Sequence, residues 1–235
     1  PYVDIRSKKI LVVGMGFVGL TLALVLADNN FEVIGFDNNE RLITDLKNKK
    51  TIMHEKGIER FIETNIGNTL SPVSSLDNVK ADIHIISVGT PIDKKTLVPN
   101  IEHLKVASES IAKILKPMDL VILRSTVPIG SSRDIVLPIL ERGSGLTGSK
   151  DFFLAFCPER TIEGKALEEL KSLPQIVGGL CKASTELASR LFNENTHTIV
   201  DVESLESAEM AKLMDNTFRD TIFAYSNQMA LLGEN

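Results

Sequence analysis

Lys9-Ile10-Leu11-Val12-Val13-Gly14-Met15-Gly16-Phe17-Val18-Gly19-Leu20-Thr21-Leu22-Ala23-Leu24-Val25-Leu26-Ala27 decides the fold. A short β-branched run, a glycine-rich turn and a helix-forming stretch follow one another without a break. The physical logic is anion binding. Gly14 lets the chain turn sharply, Gly16 lets backbone approach a pyrophosphate, and Gly19 lets the new helix lie close on its strand. The first turn of that helix, with Phe17 and Val18, offers free N–H groups and a partial positive charge to phosphates.

Glycines recur by chance, so the context matters. A second strand, Glu32-Val33-Ile34-Gly35-Phe36, ends at Asp37, where the dinucleotide fingerprint needs a carboxylate for the ribose hydroxyls. A carboxylate there repels a 2′-phosphate, which favours NAD over NADP. Arg41, one turn into the next helix, is the cation that speaks for NADP. The uncharged run from Leu11 to Ala27 after Lys8-Lys9 also has the outline of a signal peptide. Three glycines at fingerprint spacing do not suit a signal core, and that reading leaves Asp37 unexplained.

Composition narrows the class. The chain has 235 residues, 43% hydrophobic and 24% charged, with a net charge of −5. That is enough apolar material for one large domain and the start of another. The acidic balance argues against a nucleic-acid partner, which needs a basic surface. No stretch is long and apolar enough to suggest a membrane partner. Cys157 and Cys181 make no C-x-x-C pair and imply no disulfide framework, which suits a cytoplasmic protein. Both are expected to be small buried side chains. His54, His84, His103 and His197 are scattered singly, so no metal site is expected.

Further along, strand patterns alternate with helix patterns. Strands are expected at 70–73, 81–88, 119–123, 152–156, 175–177 and 198–200. Helices are expected from Asn39 to Lys47, around Ile58–Ile66, from Ile101 to Leu115, from about Ser132 to Glu141 and from Ala183 to Phe192. This rhythm predicts an α/β fold: a Rossmann-like, doubly wound, mainly parallel sheet covered on both faces. Ligands in such sheets bind outside the carboxyl ends of the strands. The tips Gly14–Gly19, Asp37, Gly89-Thr90-Pro91, Ser125-Thr126 and Pro158–Glu163 are therefore the candidate site loops. From Ser204 no breaker appears until Gly233, which predicts one long helix. Residues 1–202 are read as the dinucleotide-binding domain, and 203–235 as a linker or dimerisation helix that opens a central domain.

Taken together, Val12–Leu20, Ser87–Pro91, Ser125–Gly130, Cys157-Pro158-Glu159-Arg160 and Ala208–Thr217 resemble the UDP-glucose/GDP-mannose dehydrogenase family, in family order over almost the whole chain. The resemblance implies oxidation of a UDP-sugar C6 alcohol to the acid in two NAD-dependent steps, supplying polysaccharide precursors. It implies capture of the intermediate aldehyde by a cysteine thiolate. It makes Thr126 and Glu163 the pair that positions a catalytic water, and Glu159 a substrate-side carboxylate. Lys212 and Asn216 become the stabilisers of the oxyanion. Spacing agrees with the last pair, since i, i+4 residues share a helix face, to which Asn227 nearly returns. The family also implies a homodimer built on the long helix.

The family's thiol lies downstream of that helix, and neither Cys157 nor Cys181 occupies its place. The chain is therefore expected to bind NAD without completing the oxidation, and to lack the UDP-binding domain. The stretches Pro158–Gly164 and Leu173–Gly179 look closer to the UDP-N-acetylhexosamine branch than to the UDP-glucose branch. Glu163 is unusual, because some acetylmannosamine enzymes carry proline there. Two other readings stay open: a β-hydroxyacid or 6-phosphogluconate-type dehydrogenase, and a non-catalytic NAD-sensing module.

Overall fold

The structure is a computed structural model that describes residues 4–234. Among these, eight strands form one sheet in the order β3-β2-β1-β4-β5-β6-β7-β8. They are β1 (Ile10–Val13), β2 (Val33–Phe36), β3 (Leu70–Val73), β4 (Ile83–Ile86), β5 (Leu120–Leu123), β6 (Phe153–Phe156), β7 (Gln175–Gly179) and β8 (Ile199–Val202). The order reverses between β1 and β4, and this switch point is where a crevice must open. Register aligns the strand ends: Val13 lies opposite both Phe36 and Ile86, and Ile86 opposite Leu123. Gly14, Asp37, Ser87 and Arg124 therefore emerge side by side on one edge.

Period-two alternation sends successive side chains to opposite faces. Ile10, Val12, Ile85 and Ile122 pack under α1 (Phe17–Asp28) and α3 (Ile58–Asn65). Leu11, Val13, Ile86 and Val121 pack under α4 (Glu102–Ala112) and α5 (Leu137–Ser144). Both faces are covered, so the central strands read as continuous apolar runs. α2 (Glu40–Lys47) starts where the Asn39 side chain accepts the N–H of Leu42. α7 (Lys182–Asn193) closes the β7–β8 crossover.

Three features differ from the sequence expectation. The β6–β7 pair is antiparallel, with Ala155 opposite Gly179, so the sheet is parallel everywhere except at this joint. Side-chain periodicity is the same for either strand direction, so the pattern could not reveal the reversal. The connection before β7 also carries α6 (Ala166–Ser172), a short helix that the sequence pattern does not mark. Finally, the 132–141 helix begins as a π-type turn over Ser132–Val136 before α5. Pro138 has no N–H with which to continue a regular ladder there.

The long helix, α8 (Leu205–Gly233), runs 29 residues. The Ser204 hydroxyl caps it by accepting the N–H of Ser207. Its inward residues are Leu205, Ala208, Glu209 and Lys212, one stripe at helical spacing. Gly178 makes that approach possible, since a Cβ there would lie 2.2 Å from Ser204 O. Beyond Asn216 the helix is exposed.

Candidate active site

The glycine turn shows which glycines serve the chain and which does not. Gly14 has φ +94, and a Cβ on it would stand 2.7 Å from Ser87 O. A Cβ on Gly19 would meet Gly14 O at 1.8 Å. Both positions demand glycine for folding alone. Gly16 has an ordinary extended backbone, and nothing lies within 4 Å of a Cβ built on it. Folding alone gives no reason for glycine at this position, which faces open space. Gly16 also begins α1 with no side-chain cap, leaving the first amides, through Phe17 and Val18, open to an anion.

A crevice of about 360 Å³ opens beside this turn, walled by Gly14, Gly16, Asp37, Ser87, Gly89 and the inner face of α4. Asp37 Oδ2 accepts the N–H of Met15 at 2.8 Å, and Oδ1 accepts that of Asn39 at 2.9 Å. Each oxygen keeps a lone pair for a ribose hydroxyl. Ser87 Oγ is buried without a hydrogen-bond partner, an unspent polar atom in the crevice wall. Together these features fit a dinucleotide: an amide-lined turn for phosphates, a carboxylate for ribose and a slot for a ring. Three α4-side residues that no sequence motif singles out, His103, Val106 and Ser110, form the far wall of that slot. His103 Nδ1 lies 3.2 Å from Gly89 O and ties the helix to the β4 tip. Arg41 is exposed and does not line the crevice.

The next two tips are stitched together. Ser125 Oγ donates to Val88 O at 2.7 Å, and Thr90 Oγ1 donates to Thr126 O at 2.5 Å. Pro91 follows, exposed, and its carbonyl accepts the N–H of Asn100. The β4 and β5 loops thus hold one another through their own polar groups.

On the far side lies a cluster of charge. Lys212 Nζ, on α8, sits 3.6 Å from Glu159 Oε2, on the loop after β6. Glu159 also accepts the N–H of Thr161, which fixes its side chain across the loop. Burial pushes the Lys212 ammonium below its usual pKa, and the Glu159 carboxylate opposes that shift. Asn216 lies one turn further along α8, half-buried. One residue beyond Glu159, the Arg160 guanidinium pairs with Asp215 at 2.5 Å.

Beneath this loop lies Arg124, fully inside the protein, donating to Cys157 O at 3.0 Å and Gln175 Oε1 at 2.9 Å. Its guanidinium stacks 5.3 Å from the Phe192 ring. Burial lowers its pKa and Glu159 pulls the other way. Arg124 anchors the backbone that carries Glu159, a role no sequence pattern announces. The Cys157 thiol is buried, and desolvation pushes its pKa well above the usual range, so it is no nucleophile. Cys181 departs from the expectation of burial: it is half-exposed at the start of α7, beside Ser184 Oγ at 3.3 Å.

No direct hydrogen bond joins Glu163 to Thr126 among the described residues. Glu163 is exposed on the β6–α6 loop, with no hydrogen-bond or ion-pair partner among the described residues. Its neighbour Gly164 donates its N–H to Glu55, whose carboxylate is buried in the segment before α3. Among the described residues no group of three potential ligands is placed to hold a metal ion, and no helix is long and apolar enough to cross a membrane.

Known proteins resemble this chain in sequence and in fold. Residues 8–196 match the sequence model described as "UDP-glucose/GDP-mannose dehydrogenase family, NAD binding domain". UDP-N-acetyl-D-mannosamine dehydrogenase from Campylobacter jejuni is 31% identical over 233 residues, covering 97% of this chain and 57% of that protein. UDP-N-acetyl-D-glucosamine 6-dehydrogenase from Pseudomonas aeruginosa is 34% identical, covering 97% and 53%. Among solved structures, UDP-D-ManNAc dehydrogenase from Pyrococcus horikoshii superimposes with a TM-score of 0.90 at 30% identity, over 95% of this chain and 53% of that one. The chain spans about half the length of the curated relatives it matches.

Proposed function

Since the chain belongs to the UDP-glucose/GDP-mannose dehydrogenase family and carries its NAD-binding domain, we propose that it serves the oxidation of a UDP-N-acetylhexosamine at C6, from alcohol to carboxylate. The observation that carries this reading is the Glu159–Lys212 pair at 3.6 Å, both side chains largely sheltered from water. NAD, when bound, would accept one hydride in each of two successive oxidations, the first NADH giving way to a second NAD between them. The thiol that captures the aldehyde before the second oxidation is neither Cys157 nor Cys181, and the remaining roles fall to residues of this chain.

Lys212 holds a positive charge where the substrate oxygen becomes negative, and its partial desolvation strengthens that interaction. Asn216 adds an amide donor from the same helix face. Glu159 keeps Lys212 oriented between turnovers and faces the sugar. Thr126 and Glu163 hold the water that is deprotonated, which requires the β6–α6 loop to bring Glu163 inward. Gly14, Gly16, Phe17, Val18, Gly19, Asp37, Gly89, Thr90, Pro91 and Ser125 hold the cofactor, with Arg41 at its adenosine end.

The proposal extends to organisation and setting. The chain divides at 202/203, and α8 pairs two copies into a dimer. Phe218, Phe223, Tyr225 and Leu232 support that pairing, each more than half exposed on the helix. The place of work is the cytoplasm, where UDP-sugars feed polysaccharide synthesis. The acetylmannosamine and acetylglucosamine forms are the favoured substrates, on the names of the relatives above.

The test is NADH formation by the full-length protein against UDP-N-acetylmannosamine, UDP-N-acetylglucosamine and UDP-glucose. The expected result is two NADH per acetylhexosamine consumed, with UDP-glucose far slower. One NADH per sugar, or none from any UDP-sugar, overturns the reading.

A further inference from the structure

The long helix turns one acid inward. Glu209 is 0% exposed, and its two carboxylate oxygens accept the N–H of Gly130 at 2.6 Å and of Ser132 at 2.8 Å. Burying a carboxylate is costly unless its oxygens are satisfied by strong donors. Packing alone gives no reason for an acid here, because the neighbours on the same stripe, Leu205 and Ala208, are apolar. What a carboxylate adds is a two-pronged grip on backbone. The gripped amides close the loop that starts at Ser125 and Thr126, and Gly130 holds φ +91 at the turn.

Polar contacts run onward from that grip in both directions. Towards the crevice, the loop is tied by Ser125 Oγ to Val88 O and by Thr90 Oγ1 to Thr126 O, next to the Ser87 and Gly89 wall. Along the helix, Lys212 stands three residues after Glu209 and meets Glu159. We infer that Glu209 is a positioning residue, clamping the nicotinamide-side loop to α8 so that filling the cofactor crevice orders the segment bearing Lys212 and Asn216. The inference rests on the function proposed above for what Lys212 and Asn216 do, but its mechanical content does not. A second tie joins the same elements at the surface, Arg133 to Glu206 at 2.5 and 3.2 Å, and it serves as the natural control.

Glu209→Gln keeps the volume but turns an NH₂ donor toward one of the two amides. Hydrogen exchange of residues 205–216 is followed on this chain, with and without saturating NAD, in wild type, Glu209→Gln and Arg133→Ala. The expected result is an NAD-dependent slowing of about fivefold or more in wild type and Arg133→Ala, in the range of ordinary coupling between sites. It is lost in Glu209→Gln, while NAD affinity stays within about threefold, less than the usual coupling between sites. A merely structural role predicts faster exchange in Glu209→Gln with the NAD-dependent difference intact, and that outcome overturns the inference. So does the absence of any NAD-dependent change on α8 in wild type.

A wild-type measurement covers the case in which Glu209→Gln is too unstable to bind cofactor. The Gly130 and Ser132 amides must then gain protection with the same NAD midpoint as residues 205–216, and separate midpoints sink the clamp. In the full-length protein, failure to make NADH from UDP-sugars would defeat the functional reading while leaving the exchange result standing.

Discussion

The two sides of the candidate site are built from different materials. The cofactor side is made of backbone: a glycine turn, free helix amides and strand tips, with positions set by sheet register and close approach. The proposed catalytic side is made of long charged chains, Lys212, Glu159, Arg124 and Glu209, reaching between a helix and two loops. Backbone geometry is fixed once the sheet forms. Side-chain clusters depend on how each charge is buried and paired, and they can be lost one residue at a time. The contrast separates substitutions that should unfold the protein from those that should remove a ligand, and both from those that should remove only chemistry.

The largest effect is expected at Gly19. A Cβ 1.8 Å from Gly14 O has no room, and the obstruction is backbone. Gly19→Ala should destabilise by about 3 kcal/mol, the upper end for overpacking, read as a fall in denaturation midpoint. A midpoint within error of wild type would show that the strand–turn–helix contact can loosen at little cost.

Lys212→Met comes next. It should lower kcat in the full-length protein by about 10²-fold or more, the usual cost of removing a donor aimed at developing negative charge. It should leave the fold standing, since a methionine fills the same space. The same substitution bears on alkaline stability. Burial lowers the folded-state pKa of Lys212 below 10.5, so between the two values the unfolded chain binds the extra proton and stability rises with pH. Lys212→Met should flatten that rise.

Gly16→Ala should weaken NAD binding by about tenfold, roughly 1.4 kcal/mol, with the denaturation midpoint unchanged because its Cβ meets nothing. Equal NAD affinity in this variant would mean the pyrophosphate lies elsewhere.

The smallest effect belongs to the surface tie. The Arg133 hydrogen bond holds the Glu206 carboxyl down at about 2 against an ordinary 4.5. Its contribution is fully present above pH 4.5 and fades as pH falls toward 2. Both side chains are partly exposed, so Arg133→Ala should cost well under about 1 kcal/mol at neutral pH, and the cost should shrink toward nothing as pH falls through about 2. An equal cost at both pH values would show that the pair is not what Arg133 contributes.

The same division of materials governs how much is legible in the amino-acid order alone. Gly14–Gly19, Asp37, Ser87–Pro91 and Ser125-Thr126 stand out because turns and strand tips follow from period and punctuation. His103, Val106 and Ser110 do not, because a helix face that walls a cavity has the same pattern as one that packs on a sheet. Arg124 and Glu209 are invisible for a deeper reason: a charge in a sequence looks like surface, and only the fold shows that it is inside. The reversed β7 is hidden because residue alternation carries no direction. Glu159, Lys212 and Asn216 come from the family resemblance rather than from physics, and helical spacing supports only the last two.

The most direct test crosses the two materials. NAD affinity and kcat at saturating NAD are measured in the full-length protein for Gly16→Ala and Lys212→Met side by side. The expected result is a reciprocal pattern: Gly16→Ala loses affinity and keeps kcat, whereas Lys212→Met keeps affinity and loses kcat. If either variant loses both, or Lys212→Met turns over at the wild-type rate, the division between a backbone cofactor site and a side-chain catalytic site is wrong.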